Sequence, residues 1–373
     1  MIELTKRIYL SSPHMSEQGY EMKYVKEAFN TNWIGPLGEN INQFQVEFAK
    51  KLNVKAAAAV STGTAAIHLS LKAANVREGD IVFCQSLTFA ATANPIIYQG
   101  ATPVFIDSDF ETWNMCPKAL EQAFEKYPNV KAVVIVHLYG IPAAMDEIKR
   151  LCDLYDVKLI EDAAESLGSY YKGIHTGTIG DYGIFSFNGN KIITASSGGM
   201  LVSNDENILE KVKFWATQAK DPARHYEHSE LGYNYRMDNV VAGIGRGQLL
   251  ILEERVEKKK YIFNYYKKHL QDIKEIAFMP ELEYNDMNYW LSSILLDGSI
   301  KPIDLLLKLE ENNIESRPLW KPMHLQPYYM DFDFIGEGVS EQLFKNGLCL
   351  PSDTNMNDED LDKVIQVIKG MWN

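Results

Sequence analysis

The sequence has no CxxC pair and no zinc-type cysteine cluster. Cys84, Cys116, Cys152 and Cys349 stand far apart in the chain, so they read as reduced, buried thiols rather than metal ligands or a neighbouring redox pair. Positive charge is also in short supply. With 37 Lys plus Arg against 50 Asp plus Glu, the formal net charge is −13. That balance speaks against a nucleic acid or an anionic membrane as the main partner, while leaving room for a local basic pocket. The opening MIELTKRIYLSSPHMSEQ contains no apolar stretch of signal-peptide length, and a cytoplasmic protein is expected. The longest uncharged run, Ile81 to Ile106, is interrupted by Gln85, Asn94, Pro95, Gln99 and Pro103, too often for a membrane span. Internal repeats and low-complexity linkers are absent as well.

What is present is an ordinary globular composition, 46% apolar and 23% charged, sufficient for a large core and two or three domains. From about Val54 to Val202 the runs AAAAV, IVFC, TPVFI, AVVIV, VKLI, YGIFSF and GMLV alternate with segments of helix length. This rhythm predicts βαβ units and a mostly parallel sheet covered on both faces. Asp238 to Lys268 has no proline and carries Leu249, Leu252 and Val256 at helical spacing, which predicts one long helix. Inside it GIGRG, Gly243 to Gly247, reads as a close-packing device rather than a phosphate loop. The expected division is residues 1–245, an N-terminal segment and large domain, and residues 246–373, the long helix and a smaller α/β domain.

In open α/β sheets ligands gather beyond the carboxyl ends of the strands, and four places there carry chemistry. Ser61 to Ala66, STGTAA, follows AAAAV and opens a helix; its first-turn N–H groups suit a phosphate, or Thr62 is an ordinary N-cap. Asp162 follows VKLI, where a buried carboxylate either caps a helix or keeps a pyridine nitrogen protonated. Lys191 is the only charged residue between Asp181 and Asp205. It is a surface lysine or a desolvated amine suited to Schiff-base formation, with Ser186 placed to bind a phosphate. Asn234 and Arg236 in LGYNYRM suit an anion or a core turn. Phe89 in SLTFAATAN can stack on a heteroaromatic ring or belong to the core. HYEH, His225 to His228, has no further ligands at metal spacing.

Together these segments resemble the DegT, DnrJ, EryC and StrS family of sugar aminotransferases that use pyridoxal 5′-phosphate. The resemblance runs from Gly35 to Phe44 through STGTAAIHLSL, EDAAESLGSYYKG, FSFNGNKIIT with GGMLVSN, and LGYNYRMDNVVAGIGRGQL to RPLWKPMHLQPYY. It implies an α/β fold of the aspartate-aminotransferase type, in a homodimer with shared active sites. By the same resemblance Lys191 matches the cofactor-binding lysine and proton-transferring base, and Asp162 the pyridinium partner. Phe89 matches the ring-stacking position, and Thr62, Gly63, Thr64 and Ser186 the phosphate cup. Asn234 matches the asparagine that reaches the phosphate from the other subunit. Arg236, Arg317, Lys321 and His324 fall in motifs bordering the nucleotide-sugar site.

The chain departs from the family pattern at two points. Glu165 stands where many relatives have Gln facing the cofactor's ring oxygen, so a carboxylate there must be protonated or turned away. TASSGG follows Lys191 where an acidic residue often precedes the two glycines. The related sugar 3-dehydratases carry histidine in place of Lys191; with the lysine kept, the resemblance implies ordinary transamination from L-glutamate to a ketosugar. The opening LSSPHMSEQGYEMKYVKEAFNTNWIGPLG and the text IESRPLWKPMHLQPYY look most like enzymes that aminate C4 of UDP-linked 4-keto-6-deoxy-N-acetylglucosamine on the route to bacillosamine. The alternatives are a GDP-4-keto-6-deoxymannose 4-aminotransferase of perosamine type and a non-catalytic nucleotide-sugar sensor. A nucleotide-sugar dehydrogenase lacks its GxGxxG after a first strand.

Overall fold

The computed structural model describes residues 6–372. Residues 1–5, part of the opening segment read above, and residue 373 lie outside that range. Two helices, α1 (Tyr20–Asn30) and α2 (Glu39–Leu52), precede the alternating region. That region runs β1 (Ala56–Val60), α3 (Gly63–Ala73), β2 (Ile81–Gln85), α4 (Ala90–Tyr98), β3 (Thr102–Ile106), α5 (Pro117–Lys126), β4 (Val130–Val136), α6 (Met145–Leu154) and β5 (Lys158–Asp162). The short strands β6 (Tyr170–Tyr171) and β7 (Ile174–His175) lead to β8 (Tyr182–Ser186), β9 (Gly199–Ser203) and α7 (Glu206–Ala216). Every apolar run read from the sequence is a strand, because nearly continuous burial on both faces selects such runs for central positions.

The large sheet has the order β1-β9-β8-β5-β4-β2-β3, extended beyond β3 by a late strand, β14 (Phe334–Ile335). Pairings from β8 through β5, β4, β2 and β3 are parallel, and β9 runs antiparallel between β1 and β8. The carboxyl ends of β1, β2, β5 and β8 therefore share one edge, and the chemistry-bearing residues follow them. Below this edge Phe44 and Phe48 of α2 pack on Phe185 and Phe187, with ring centroids 5.1–5.6 Å apart. Each such burial stabilises the fold by about 1.5–3 kcal/mol, and the cluster extends to Ile192, Ile193 and Ala195 around Lys191.

The expected single helix after Asp238 is two, α8 (Asn239–Leu249) and α9 (Leu252–Leu270). The chain tightens between them, with Leu250 N–H donating to Gly247 O and Ile251 N–H to Gln248 O. The break lets α8 stay against α1 and α2 while most of α9 packs on the C-terminal core. Gly243, Gly245 and Gly247 do serve close packing. A Cβ on Gly245 would come 2.7 Å from the Phe44 ring, and one on Gly247 would come 2.5 Å from the Glu21 backbone nitrogen.

Past α9 the chain forms β10 (Ile276–Phe278), β11 (Asn285–Asp286), β12 (Ser293–Leu296), α10 (Pro302–Glu311), β13 (Arg317–Pro318) and β14 (Phe334–Ile335). It ends with α11 (Val339–Asn346), β15 (Gly347–Cys349) and α12 (Asp358–Lys369). A four-stranded sheet of order β10-β12-β15-β13 carries the smaller core. Two exchanges tie the halves together: Ile8 packs in that smaller core, and β14 returns to the outer edge of the large sheet beside β3. Asp107 secures this return by accepting N–H bonds from Glu337, Gly338, Val339 and Ser340 at 2.7–3.0 Å.

Candidate active site

Helix α3 begins where β1 ends. Thr62 caps it, its hydroxyl oxygen accepting from Ala65 N–H at 3.0 Å, so the capping reading of this threonine holds alongside the binding one. A Cβ on Gly63 would lie 3.2 Å from Ser186 Cβ, and one on Gly199 would lie 2.6 Å from Gly63 N. Small residues thus bring two strand ends together under the first turn of α3, which carries N–H groups and a positive dipole end. Thr62, Gly63, Thr64 and Ser186 line one end of a cavity of about 210 Å³.

Asp162 lies in the wall of the same cavity at the end of β5. Its Oδ2 accepts from Thr92 Oγ1 at 2.7 Å and its Oδ1 from Ala164 N–H at 3.2 Å. Burial pushes its carboxyl above the usual range, opposed by the Thr92 hydrogen bond and by the charge of Lys191. A cationic ring nitrogen beside it would oppose burial further. Phe89, at the N-cap of α4, is half exposed to the cavity, its centroid 5.3 Å from that of Trp320.

Lys191 enters from the loop between β8 and β9. Lys191 N–H donates to Asn188 O and Ala195 N–H to Phe187 O, and Gln248 Oε1 of α8 accepts from Thr194 N–H. Its ammonium lies 3.6 Å from Glu165 Oε1 and 4.1 Å from the centroid of the Trp290 ring. Glu165 is buried at 4% exposure, accepting from Tyr139 N–H at 2.8 Å and from the Trp320 indole at 3.3 Å. Burial raises its pKa, against the pull of Lys191. The carboxyl departs from the common Gln, yet it meets donors here rather than pointing away.

Eight of the residues expected from the sequence, Thr62, Gly63, Thr64, Phe89, Asp162, Glu165, Ser186 and Lys191, line this one cavity. The others do not. Asn234 is exposed, its Oδ1 accepting from Gln218 Nε2. Arg236 lines a separate cleft with Asn42, Gln45 and Glu210. Arg317 and Lys321 border a neighbouring cleft that shares Trp320 and Asn190 with the main cavity. His324 is pinned between Ser86 Oγ at 2.6 Å and Glu341 Oε1 at 3.2 Å and stacks on Phe334.

Sequence reasoning missed Trp290 and Trp320, which close the cavity on the side of the C-terminal half. Both flank Tyr139, with interplanar angles of 20° and 21°. Trp290 is held at each of its polar atoms. Its N–H donates to Asn288 Oδ1, its indole to Asn190 O, and its carbonyl accepts from Lys259 Nζ at 2.9 Å. Lys259 is buried at 2% exposure and also donates to Ser11 Oγ.

Burial lowers the Lys259 pKa to about 7, with Arg255 adding to the shift and Asp353 opposing it. In the unfolded chain a lysine titrates near ~10.4. Between these values the unfolded chain binds the extra proton, so this group's contribution to stability rises with pH, by about 1.4 kcal/mol per unit. The unfolding free energy of the native chain, relative to Lys259→Met, is expected to climb across pH 7 to 9 in urea titrations. A pH-independent difference would contradict the buried, lowered amine.

The family model for DegT/DnrJ/EryC1/StrS aminotransferases matches residues 15–369. The chain belongs to that family. It is 55% identical over 371 residues to EpsN of Bacillus subtilis (strain 168), named as a putative pyridoxal phosphate-dependent aminotransferase, covering 97% of this chain and 95% of that protein. It is 36% identical over 364 residues to GDP-perosamine synthase of Escherichia coli O157:H7, covering 98% and 99%. The crystal structure of the aminotransferase TlmJ from Streptoalloteichus hindustanus superposes with a TM-score of 0.90 at 30% identity, covering 97% and 98%. The expected fold, the transaminase activity on sugars and the pyridoxal 5′-phosphate cofactor stand with the family. The cavity fits that group: an anion cup at a helix N-terminus, a buried carboxylate, a stackable ring and one amine.

Proposed function

We propose that this chain moves an amino group from L-glutamate to C4 of a UDP-linked 4-keto-6-deoxy-N-acetylhexosamine, giving UDP-4-amino-4,6-dideoxy-N-acetylglucosamine, in the cytoplasm. The observation that carries the transamination is the placing of the Lys191 amine in a cavity whose walls hold Asp162 and the N-terminus of α3. Pyridoxal 5′-phosphate supplies, when bound, an aldehyde that takes up amines and a ring that accepts an electron pair. Thr62, Gly63, Thr64 and Ser186 hold its phosphate. Asp162 holds a proton on the ring nitrogen, and Phe89 packs on the ring face. Lys191 Nζ would be the base that takes a proton from carbon and returns it to carbon. Glu165, standing in place of the common Gln, would face the ring oxygen, with burial raising its pKa against the pull of Lys191.

Asn234 and Arg236 lie outside their own subunit's cavity, and we assign them to the partner's site in a homodimer. At a net charge of −13 local cations must hold the diphosphate, and Arg317 and Lys321 beside Trp320 supply them. His324, with both ring nitrogens engaged, is assigned to fixing the Trp320 segment. The UDP sugar is supported by the stretches Leu10 to Gly38 and Ile314 to Tyr329. The GDP sugar is favoured instead by the similarity to perosamine synthases. Comparison of kcat/KM for the UDP sugar and for GDP-4-keto-6-deoxymannose, at one ionic strength, is expected to favour the UDP sugar at least ~10-fold, about 1.4 kcal/mol of transition-state binding. A preference for the GDP sugar overturns the sugar assignment and leaves the transaminase standing.

A further inference from the structure

Trp290 has no place in the chemistry so far, yet few side chains are fixed so completely. Its backbone N–H is held by Asn288 Oδ1 at 2.9 Å, and Asn288 Nδ2 in turn donates to Glu165 O and Leu167 O. Gly140 makes this possible, since a Cβ there would fall 2.0 Å from Asn288 Oδ1. The indole N–H donates at 2.7 Å to the carbonyl of Asn190, the residue before Lys191, and Ser11 Oγ donates to the same carbonyl at 3.0 Å. Lys259 closes the ring of bonds by donating to both Ser11 Oγ and Trp290 O. A loop position and a ring face are thereby locked to each other, and the Lys191 ammonium lies over that face.

We propose that Trp290 is a positioning residue whose ring face holds the free, protonated amine of Lys191 beside Glu165 whenever Lys191 is not joined to cofactor. A ring face attracts a cation and is indifferent to a neutral amine, so the contact favours the protonated state. Other charged groups face the same amine: Asp162 and Glu165 from within the cavity, and His14, Arg255 and Lys259 from the small polar recess behind it. All of them remain in Trp290→Leu and Trp290→Phe, and both variants lose the indole bond to Asn190 O alike, so the difference between the two isolates the ring face. The inference rests on Lys191 being the reacting lysine of the proposed function, but its test reads the lysine's own ionisation, so either idea can fail alone.

The test labels the full-length, cofactor-free protein with acetic anhydride across a pH series and follows acetylation of the Lys191 peptide by mass spectrometry. Trp290→Leu is expected to lower the Lys191 titration midpoint by about one unit, the size of a partly desolvated cation–π contact. Trp290→Phe keeps a smaller, less electron-rich face and is expected to fall by about half as much. If Trp290→Leu does not fold, as judged by circular dichroism, Trp290→Phe against the native chain still decides. A graded fall supports the proposal. Midpoints within ~0.2 unit of the native value, an equal fall in both variants, or a rise overturn it.

Discussion

Lys191→Ala is expected to abolish transamination, lowering turnover by several orders of magnitude, because the proposed function gives this lysine both the covalent link and the proton transfer. Among the described residues that line the cavity, no other is a lysine. Lys259, which shares a small polar recess with Lys191, is committed to Ser11 and to the Trp290 carbonyl. The fold should survive the change. The loop is fixed by backbone bonds from Lys191 to Asn188 and from Ala195 to Phe187, and by buried Ile192 and Ile193, none of which needs the lysine side chain. Removing the ammonium also relieves the pull that opposes burial of Glu165 and Asp162, so both carboxyls should become harder to ionise. The measurements are single-turnover amine transfer, visible absorption after adding cofactor, and circular dichroism. Near-native turnover in a folded variant would remove Lys191 from the chemistry.

Asp162→Asn is expected to cost at least ~100-fold in turnover, the order of magnitude for removing a catalytic charge in a dry site. The replacement has nearly the same shape, and its hydrogen bonds can be kept. An amide Nδ2 facing Thr92 can donate to its hydroxyl, which can turn toward Thr88 Oγ1 at 2.8 Å, while the amide oxygen still accepts from Ala164 N–H. What is lost is the charge that, in the proposed function, holds a proton on the cofactor's ring. Cofactor content and turnover, measured together, separate this from simple loss of binding. A loss under threefold with cofactor retained would place Asp162 outside the reaction.

The large sheet was legible because its strands are short apolar runs, and the residues after them fell at one edge because the intervening helices keep those strands parallel. That rule placed Asp162, Ser186 and the Thr62 turn at the edge, while the roles expected of them and of Lys191 came from the family resemblance. The break at Leu250 was hidden because the apolar spacing of Leu249, Leu252 and Val256 runs across it with no proline to mark it; what ends α8 is the tertiary demand that its glycines stay against Phe44 and Glu21. Trp290 and Trp320 carry no mark of a site in the sequence, and only the folding of the C-terminal half against the strand ends brings them into the wall of the Lys191 cavity. The hold on His324 was not legible, because its partners Ser86 and Glu341 are far away in sequence.

The most direct test of the account is to incubate the purified protein with pyridoxal 5′-phosphate, 15N-labelled L-glutamate and UDP-4-keto-6-deoxy-N-acetylglucosamine, and to examine the sugar product by NMR. The account expects 15N bonded to C4, with one 2-oxoglutarate formed per amino sugar and no transfer by Lys191→Ala. A sugar that remains a 4-ketone, or that carries the label at another carbon, would contradict it.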